Sequence, residues 1–256
     1  MIVDTRPSPH RWRGWLPVLI PAAVIAVTLC VIVALRAESS SDFRDYWQTA
    51  KHFRETGEIV TDKGVHNYLP FFTIFMTPWS LLPLQVAIVL FTLLSVGLFG
   101  VTVVLAEMLL HERIDARPRA ALWIALGLML PYVISSSVLG AVGLLLAFLI
   151  VTTWFLFERG REWEAGAVLG LAALIKIVPA LLILFFLLKR RWRVALAAIV
   201  VFVLFGGGMP LALLGPKRAY SLHEEFYQGA VVEHSAWNTL TAEKPRKVYH
   251  KNNALP

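Results

Sequence analysis

The stretch EAGAVLGLAALIKIVPALLILFFLLKRRWRVAL, Glu164–Leu196, decides how often this chain is expected to cross a membrane. Its apolar run Ala165–Leu188 has about the length that a transmembrane helix needs, roughly 20 residues. The run ends at Lys189–Arg193, the densest basic cluster of the chain. Basic residues in short loops favour the cytoplasmic side of a membrane. If the run were one span, the earlier basic loops would place this cluster on the wrong side.

Lys176 and Pro179 resolve the conflict, because they put a charge and a helix breaker near the middle of the run. A charge inside a span is costly, and a broken helix is tolerated where its backbone lines a cavity. We therefore expect two short membrane helices, about 165–175 and 179–188, that turn at KIVP toward the outer side. This division raises the expected number of membrane helices from six to seven, although neither short helix could cross a full bilayer.

The composition is that of an integral membrane protein. The 256 residues are 57% hydrophobic and 16% charged, and the mean hydropathy is +0.66, too apolar for a soluble domain of this length. The net charge of +7 lies in short clusters between apolar runs, which argues against nucleic-acid binding. Cys30 is the one cysteine, so neither an intrachain disulfide nor a thiolate metal site is expected. We expect no metal and no cofactor.

The apolar runs divide the chain into three parts. The runs are Leu16–Leu35, Leu84–Leu110, Ala120–Pro131 with its neighbours, Val138–Phe157, Ala165–Leu188 and Val194–Leu214. Arg6, Arg11 and Arg13 precede the first run and place the N-terminus inside. The sequence therefore predicts a cytoplasmic N-terminus over 1–15, an all-α transmembrane module over 16–214, and an outer-face loop or tail over 215–256. The first run is too long for a signal-peptide core, so we expect an uncleaved span.

The first outer loop, 36–83, is predicted to hold an interfacial helix. In SDFRDYWQTAKHF, Ser41–Phe53, the side chains of Phe43, Trp47 and Ala50 recur at helical spacing, and Gly57 is a natural stop. We expect an amphipathic helix over 42–56 with its aromatic residues toward lipid. The proline-rich stretch that follows, 68–83, is predicted to be an interfacial or re-entrant segment rather than a span.

Asp42 and Lys176 each allow two interpretations. Asp42 is either the N-cap of the interfacial helix, with Asp45 completing a box-like cap, or a base at the membrane edge that takes a proton from a hydroxyl. The two roles are compatible, since an N-cap residue is exposed at the mouth of a helix. Lys176 lies too far from the basic loops to snorkel easily. It could instead bind the phosphate of a lipid head group as a point charge.

Three elements in order resemble one family of enzymes. These are the Asp-aromatic pair with Tyr, at Asp42, Phe43 and Tyr46; the Tyr-x-Pro-aromatic element with later prolines, at Tyr68, Pro70, Phe71, Pro78 and Pro83; and Lys-x-x-Pro before a basic loop, at Lys176, Pro179 and KRRWR. The chain resembles glycosyltransferase family 87, the polyprenyl-phosphate-mannose-dependent mannosyltransferases of the GT-C superfamily. The resemblance covers nearly all of this chain and about the N-terminal two-thirds of a full enzyme.

The resemblance implies a GT-C helical bundle of about seven membrane helices in the plasma membrane. It implies inverting transfer of a hexose, mannose above all, from a polyprenyl-phosphate donor to a glycolipid or glycan acceptor on the outer face. Asp42 would be the general base, and Lys176 or Arg44 would neutralise the phosphate. Asp45, Tyr46 and Tyr68 would complete the substrate site, with no metal.

Two other functions stay open at this point. Family members usually carry a Gly-Gln-x-Asn-like element in the fourth span, where this chain has LGAVGLLL, with Ala141 and Gly143 at the polar positions. This departure favours a non-catalytic membrane protein that keeps the fold and binds a lipid-linked sugar or a partner chain. A transporter or flippase would need paired ionisable residues at mid-membrane depth and often repeats. The runs contain Lys176 alone at such a depth, and we find no repeat.

Overall fold

The computed structural model describes residues 41–57, 59, 68–111 and 118–227, together with the isolated positions 28, 31 and 32. Several predictions lie outside these residues: nearly all of the span Leu16–Leu35, the basic N-terminus over 1–15, the middle of the first outer loop, and the tail beyond 227. The described part of the chain is helical throughout, without a β-strand, as the predicted all-α class requires.

From α2 onward the helices follow one another with at most six residues between them. They are α1 Ser41–Thr56, α2 Pro70–Met76, a 3-10 segment Thr77–Leu81, α3 Leu84–His111, α4 Pro118–Leu139, α5 Gly143–Glu158, α6 Glu162–Ile175, α7 Ala180–Leu188, α8 Trp192–Val203, a π-helical segment Leu204–Gly208, α9 Met209–Leu214 and α10 Pro216–Phe226.

Two helical segments of the described chain are long and apolar enough to cross a membrane, by length and composition. They are Leu84–Leu110, which is α3, and Trp192–Leu214, which runs from α8 through the π-helical segment to α9. At about 1.5 Å per residue, the 27 residues of the first exceed the thickness of the hydrocarbon core, about 30 Å. In the most apolar part of each segment only 28% and 33% of the residues are buried, as expected for helices with one side toward lipid. The predicted total of six or seven spans stays a prediction.

The break at KIVP is confirmed. Helix α6 ends at Ile175, Lys176 has extended backbone (φ −146°, ψ 134°), and α7 begins after Pro179. The two helices have 14 and 9 residues. At about 1.5 Å per residue each is shorter than the hydrocarbon core. The charge and the proline thus divide the apolar run as the sequence predicts.

Helices α6 and α8 lie backbone against backbone. Gly166 and Gly170 are four residues apart and so share one face of α6. A Cβ on Gly166 would overlap the carbonyl oxygen of Val194, and one on Gly170 would lie 2.7 Å from the carbonyl oxygen of Ala198. Because this packing joins the helices on either side of α7, it holds α6, α7 and α8 together as one folded unit.

The aromatic residues of α1 face protein, so the prediction that they face lipid is wrong. Phe43 and Ala50 are fully buried. The indole N–H of Trp47 donates to the carbonyl of Leu82 at 3.1 Å. The guanidinium of Arg54, at the other end of the helix, donates to the carbonyl of Ser80 at 2.7 Å. The physical reason is that residues 70–82 fold over α1 and cover the apolar face that its periodicity shows.

The apolar run predicted over Val138–Phe157 is interrupted by a turn. Helix α4 continues through Leu139, and α5 begins at Gly143. Gly140 lies between them with φ 64°, a left-handed conformation that favours glycine. Its N–H donates to the carbonyl of Ser137 at 3.2 Å. The boundary predicted at Val138 is therefore wrong by about one turn of helix.

Candidate active site

Asp42 lies in the first turn of α1 and is partly buried. The helix begins at Ser41, so the prediction that Asp42 is the N-cap is wrong, because the cap precedes the first helical residue. The first turn still presents backbone N–H groups and the positive end of the helix dipole, both of which stabilise a carboxylate. Asp42 therefore lies at the end of α1 where the chain enters the helix, next to these N–H groups.

Tyr46 and Tyr68 form a hydroxyl pair one helical turn beyond Asp42. Their hydroxyl oxygens are 2.6 Å apart, and Tyr46 is buried while Tyr68 is partly buried. Phe72 contacts both rings, edge-on to Tyr46 at 4.9 Å and stacked with Tyr68 at 4.5 Å between centroids. Three aromatic rings, one on α1, one just before α2 and one in α2, thus hold two polar hydroxyls in one fixed place.

Burial and nearby negative charge keep both tyrosines protonated. Desolvation raises the pKa of Tyr46, and the Tyr68 hydroxyl and the charges of Asp42 and Asp45 raise it further. Desolvation also raises the pKa of Tyr68; the hydrogen bond to Tyr46 partly opposes this, and the charge of Asp42 adds to it. Asp42 thus acts electrostatically on both hydroxyls. At neutral pH the two tyrosines are therefore neutral hydrogen-bonding groups.

The raised pKa of Tyr46 makes stability fall in alkali. The unfolded chain releases the tyrosine proton at about pH 10, whereas the folded protein keeps it, so the stability is fully present below pH 10 and is lost as the pH rises above it. We expect Tyr46→Phe to flatten this fall by up to about 1.4 kcal/mol per pH unit. Unfolding in detergent from about pH 9 to about pH 11 measures the slope. The exposed Tyr220 is the control, and a Tyr46→Phe slope equal to the parent's would contradict the assignment.

The other predicted site residues lie on α1 and at the end of α6. Asp45 is partly buried on the same side of α1 as Asp42, and Arg44 is exposed. Lys176 is exposed where α6 ends, and its neighbour Ile175 belongs to the buried cluster that contains Phe43, Tyr46 and Phe72. The structure thus brings Asp42, Tyr46 and Tyr68 together directly. Lys176 is near this group only through its neighbour Ile175, which packs in the same buried cluster as Tyr46.

Phe72 and Gly140 are parts of the site that the sequence interpretation missed. Phe72 stands four residues after Tyr68, and the aromatic run YLPFF is the signal that could have revealed it. Gly140 packs on Phe43, the residue next to Asp42, and a Cβ there would lie 2.5 Å from the Cβ of Phe43. Within the described ranges, the His, Cys, Asp and Glu side chains form no group of three or more that could hold a metal ion.

Comparison with known proteins gives one family and several curated relatives. The model of glycosyltransferase family 87 matches residues 66–253. A polyprenol-phosphate-mannose-dependent alpha-(1-2)-phosphatidylinositol pentamannoside mannosyltransferase of Mycolicibacterium smegmatis is 33% identical over 142 residues, 55% of this chain and 33% of that protein. An alpha-(1->3)-arabinofuranosyltransferase of Mycobacterium tuberculosis is 25% identical over 191 residues, 71% of this chain and 44% of that protein. No solved structure matches the chain significantly.

The extent of these matches bounds what they support. A second mannosyltransferase, the polyprenol-phosphate-mannose-dependent alpha-(1-2)-phosphatidylinositol mannoside mannosyltransferase of Mycobacterium tuberculosis, is 27% identical over 53% of this chain and 34% of its own length. The chain thus spans from about a third to less than half of these relatives. Tyr68 and Lys176 fall inside the family match, whereas Asp42 and Tyr46 precede it. Since the match extends over most of the sequence, the chain belongs to glycosyltransferase family 87.

Proposed function

We propose that this protein is a membrane glycosyltransferase that moves a hexose, mannose in the first place, from a polyprenyl-phosphate donor to a hydroxyl of a glycolipid or glycan. The observation that carries the proposal is the family match over residues 66–253, which includes Tyr68 and Lys176. Two relatives are named for a polyprenol-phosphate-mannose donor and a phosphatidylinositol mannoside acceptor. The exposed apolar surface of α3 and of Trp192–Leu214 supports a place in the bilayer, where the tail of such a donor lies.

In the proposed mechanism Asp42 is the general base. Its carboxylate takes the proton of the acceptor hydroxyl while that oxygen attacks the anomeric carbon. The bond from this carbon to the phosphate oxygen breaks, and its electron pair leaves with the polyprenyl phosphate. Attack on the face opposite the phosphate inverts the anomeric centre. The neutral hydroxyls of Tyr46 and Tyr68 orient the carboxylate or a sugar hydroxyl by hydrogen bonds.

A cation is needed for the phosphate that leaves, because its negative charge grows as the bond breaks. Lys176 and Arg44 are the candidates, and both are exposed. Lys176 follows Ile175, which belongs to the buried cluster that contains Tyr46, and Arg44 is on α1 between Asp42 and Tyr46. Lys176 suits the task because it stands where α6 and α7 are interrupted, on extended backbone. Asp45 is proposed to bind a sugar hydroxyl beside Asp42.

The proposed arrangement in the membrane puts this chemistry at the outer face of the plasma membrane. The first 15 residues would be cytoplasmic, 16–214 would form the GT-C module, and 215–256 would return to the outer side. The outer loop 36–83 would carry α1, α2 and the 3-10 segment, which lead directly into α3. A lipid-linked donor can then keep its tail among the helices while its sugar reaches Asp42.

The donor test uses membranes that contain the full chain, with radiolabelled mannose or radiolabelled arabinose on the same polyprenyl phosphate. We expect label from the mannose donor to enter a glycolipid fraction, and the arabinose donor to give little or none. Transfer from arabinose alone would replace the proposed sugar, since one relative is an arabinofuranosyltransferase. Saturable donor binding without transfer from either would overturn the enzymatic proposal in favour of a non-catalytic binding protein.

A further inference from the structure

Two helix-ending turns of the chain form one basic face. The face consists of exposed residues after α5, between α7 and α8, and in the first turn of α8: Arg159, Arg161, Lys189, Arg190, Arg191 and Arg193. Contacts of Arg191 join the two turns. Its guanidinium donates to the carboxylate of Glu162 at 3.4 Å and lies 5.3 Å from the ring centroid of Phe157.

The two turns have the same hydrogen-bonded backbone. After α5, the N–H of Gly160 donates to Phe157 at 3.0 Å, and the next N–H reaches five residues back to Leu156. After α7, the N–H of Arg190 donates to Leu187 at 2.9 Å, and the next N–H reaches five residues back to Phe186. This is the Schellman pattern, in which one residue takes the left-handed conformation.

Arg190 occupies the position where glycine is favoured. Its φ is 56°, against 74° for Gly160, and of the residues that the structure describes it is the one non-glycine residue with positive φ. A side chain on left-handed backbone destabilises the turn relative to glycine. The arginine therefore weakens this turn, and the residue is exposed. A residue kept in a strained conformation at an exposed site suggests a role outside the fold.

The net charge of the basic face is positive. Three acidic residues, Glu158, Glu162 and Glu164, lie among its six basic residues. Two of the acids are engaged within the face, since Glu162 pairs with Arg191 and Glu164 pairs with Arg161 at 3.1 Å. Since bases outnumber acids two to one, the face attracts anions.

The surroundings of the basic face indicate what carries those anions. Trp163 is 52% exposed and Trp192 is 62% exposed, one in each turn region. Leu188 precedes the basic cluster directly and is 75% exposed, and Leu184 one turn earlier is 52% exposed. Exposed tryptophans between basic residues and an apolar surface are typical of the head-group region of a bilayer. A nucleic acid or a soluble acidic protein would not need the exposed leucines.

We propose that the basic face binds the phosphate head groups of anionic phospholipids, and that Arg190 is retained for this contact at the expense of turn stability. The proposal is independent of the transfer reaction, because it concerns a different set of residues. Basic side chains close to an anionic membrane surface strengthen binding additively. Trp163 and Trp192 hold the basic face at the depth of the lipid head groups, where its basic side chains contact the phosphates.

Arg190→Gly tests the proposal, because it should strengthen the fold and weaken lipid binding together. The full chain in mild detergent is titrated with acyl-labelled phosphatidylglycerol or phosphatidylcholine, and anisotropy gives the affinities. We expect Arg190→Gly to weaken phosphatidylglycerol binding about fivefold, the equivalent of roughly 1 kcal/mol per basic residue. The midpoint of thermal unfolding should rise, and phosphatidylcholine binding should stay unchanged. Arg190→Lys keeps the charge and should bind almost as the parent does.

Lys217→Gln is the matched control, because Lys217 is exposed on α10, outside the basic face. Equal loss of binding in this control would overturn the proposal in favour of general charge attraction. Unchanged phosphatidylglycerol binding by Arg190→Gly would overturn it directly. Full displacement of the lipid by inorganic phosphate would show a soluble anion site instead. Arg193→Gln removes a second charge of the face without changing the turn at position 190, and we expect it to weaken binding similarly. It therefore shows whether the loss in Arg190→Gly comes from the charge or from the changed turn.

Discussion

Replacing Asp42 by asparagine is expected to lower the rate of sugar transfer by roughly 10² to 10⁴-fold while the chain still folds and binds its donor. Asparagine has nearly the same shape but cannot accept the acceptor's proton. Tyr46 and Tyr68 cannot take over, because burial raises the pKa of both hydroxyls. Initial rates of mannose transfer at matched protein levels, with donor affinity measured separately, give the two quantities that the prediction concerns.

The size of this effect separates catalysis from a purely structural role of Asp42. A carboxylate in the first turn of a helix stabilises that helix by about 0.3–1 kcal/mol. A hundredfold loss of rate corresponds to about 2.7 kcal/mol of transition-state stabilisation. Loss of the dipole interaction alone is therefore too small to explain the expected result. Asp42→Asn with unchanged turnover would leave the carboxylate with a stabilising role only.

Glu55→Gln provides the matched control for Asp42→Asn. Glu55 is exposed in the last turn of the same helix, where it pairs with Arg54 at 3.5 Å. The substitution makes the same chemical change on the same element, far from the tyrosine pair. We expect transfer to remain at the parent's level. An equal fall of the transfer rate in both variants would mean that α1 as a whole is sensitive to lost charge. Asp42 would then no longer be assigned as the general base.

The parts of the fold that the sequence predicts well have local causes. The break between α6 and α7 follows from Lys176 and Pro179, since a charge and a missing N–H act at the residues that carry them. The long apolar helix over Leu84–Leu110 follows from a composition in which Glu107 is the one charged residue. Gly57 ends α1 with φ 70°, as a glycine after a helical pattern predicts. In each case the deciding residues lie within the element itself.

The parts that could not be predicted depend on contacts between distant residues. Helical spacing in α1 shows an apolar face, but lipid and protein cover such a face equally well. The segment 70–82 covers it, and Trp47 and Leu82 are 35 residues apart. The pairing of Tyr46 with Tyr68 joins residues 22 apart. Periodicity carries no information about which segments meet when they are so far apart in the sequence. The sequence therefore indicates Tyr46 and Tyr68 only as two separate motif residues, and not as a hydrogen-bonded pair.

Gly140→Ala is expected to destabilise the protein by about 2–5 kcal/mol and to reduce transfer at the same time. Two causes add. The backbone of Gly140 has φ 64°, which a side chain disfavours, and the new Cβ would lie 2.5 Å from the Cβ of Phe43. Phe43 is fully buried and directly follows Asp42 in α1. A shift of Phe43 would therefore move Asp42 as well, which is why transfer should also fall. Thermal unfolding and transfer rate, measured on the same preparation, record both effects.

A second substitution at position 140 separates these causes. Asparagine tolerates left-handed backbone better than alanine does, but its side chain meets Phe43 in the same way. If the contact dominates, Gly140→Asn is as destabilised as Gly140→Ala; if the backbone dominates, asparagine recovers most of the stability. Gly97→Ala is the control, because nothing lies within 4 Å of a Cβ there, and in a helix interior we expect alanine to be neutral or slightly stabilising. If Gly140→Ala matches this control, Gly140 does not fix Phe43, and the position of Asp42 must depend on the other contacts of α1, those with residues 70–82 and with Phe91 of α3.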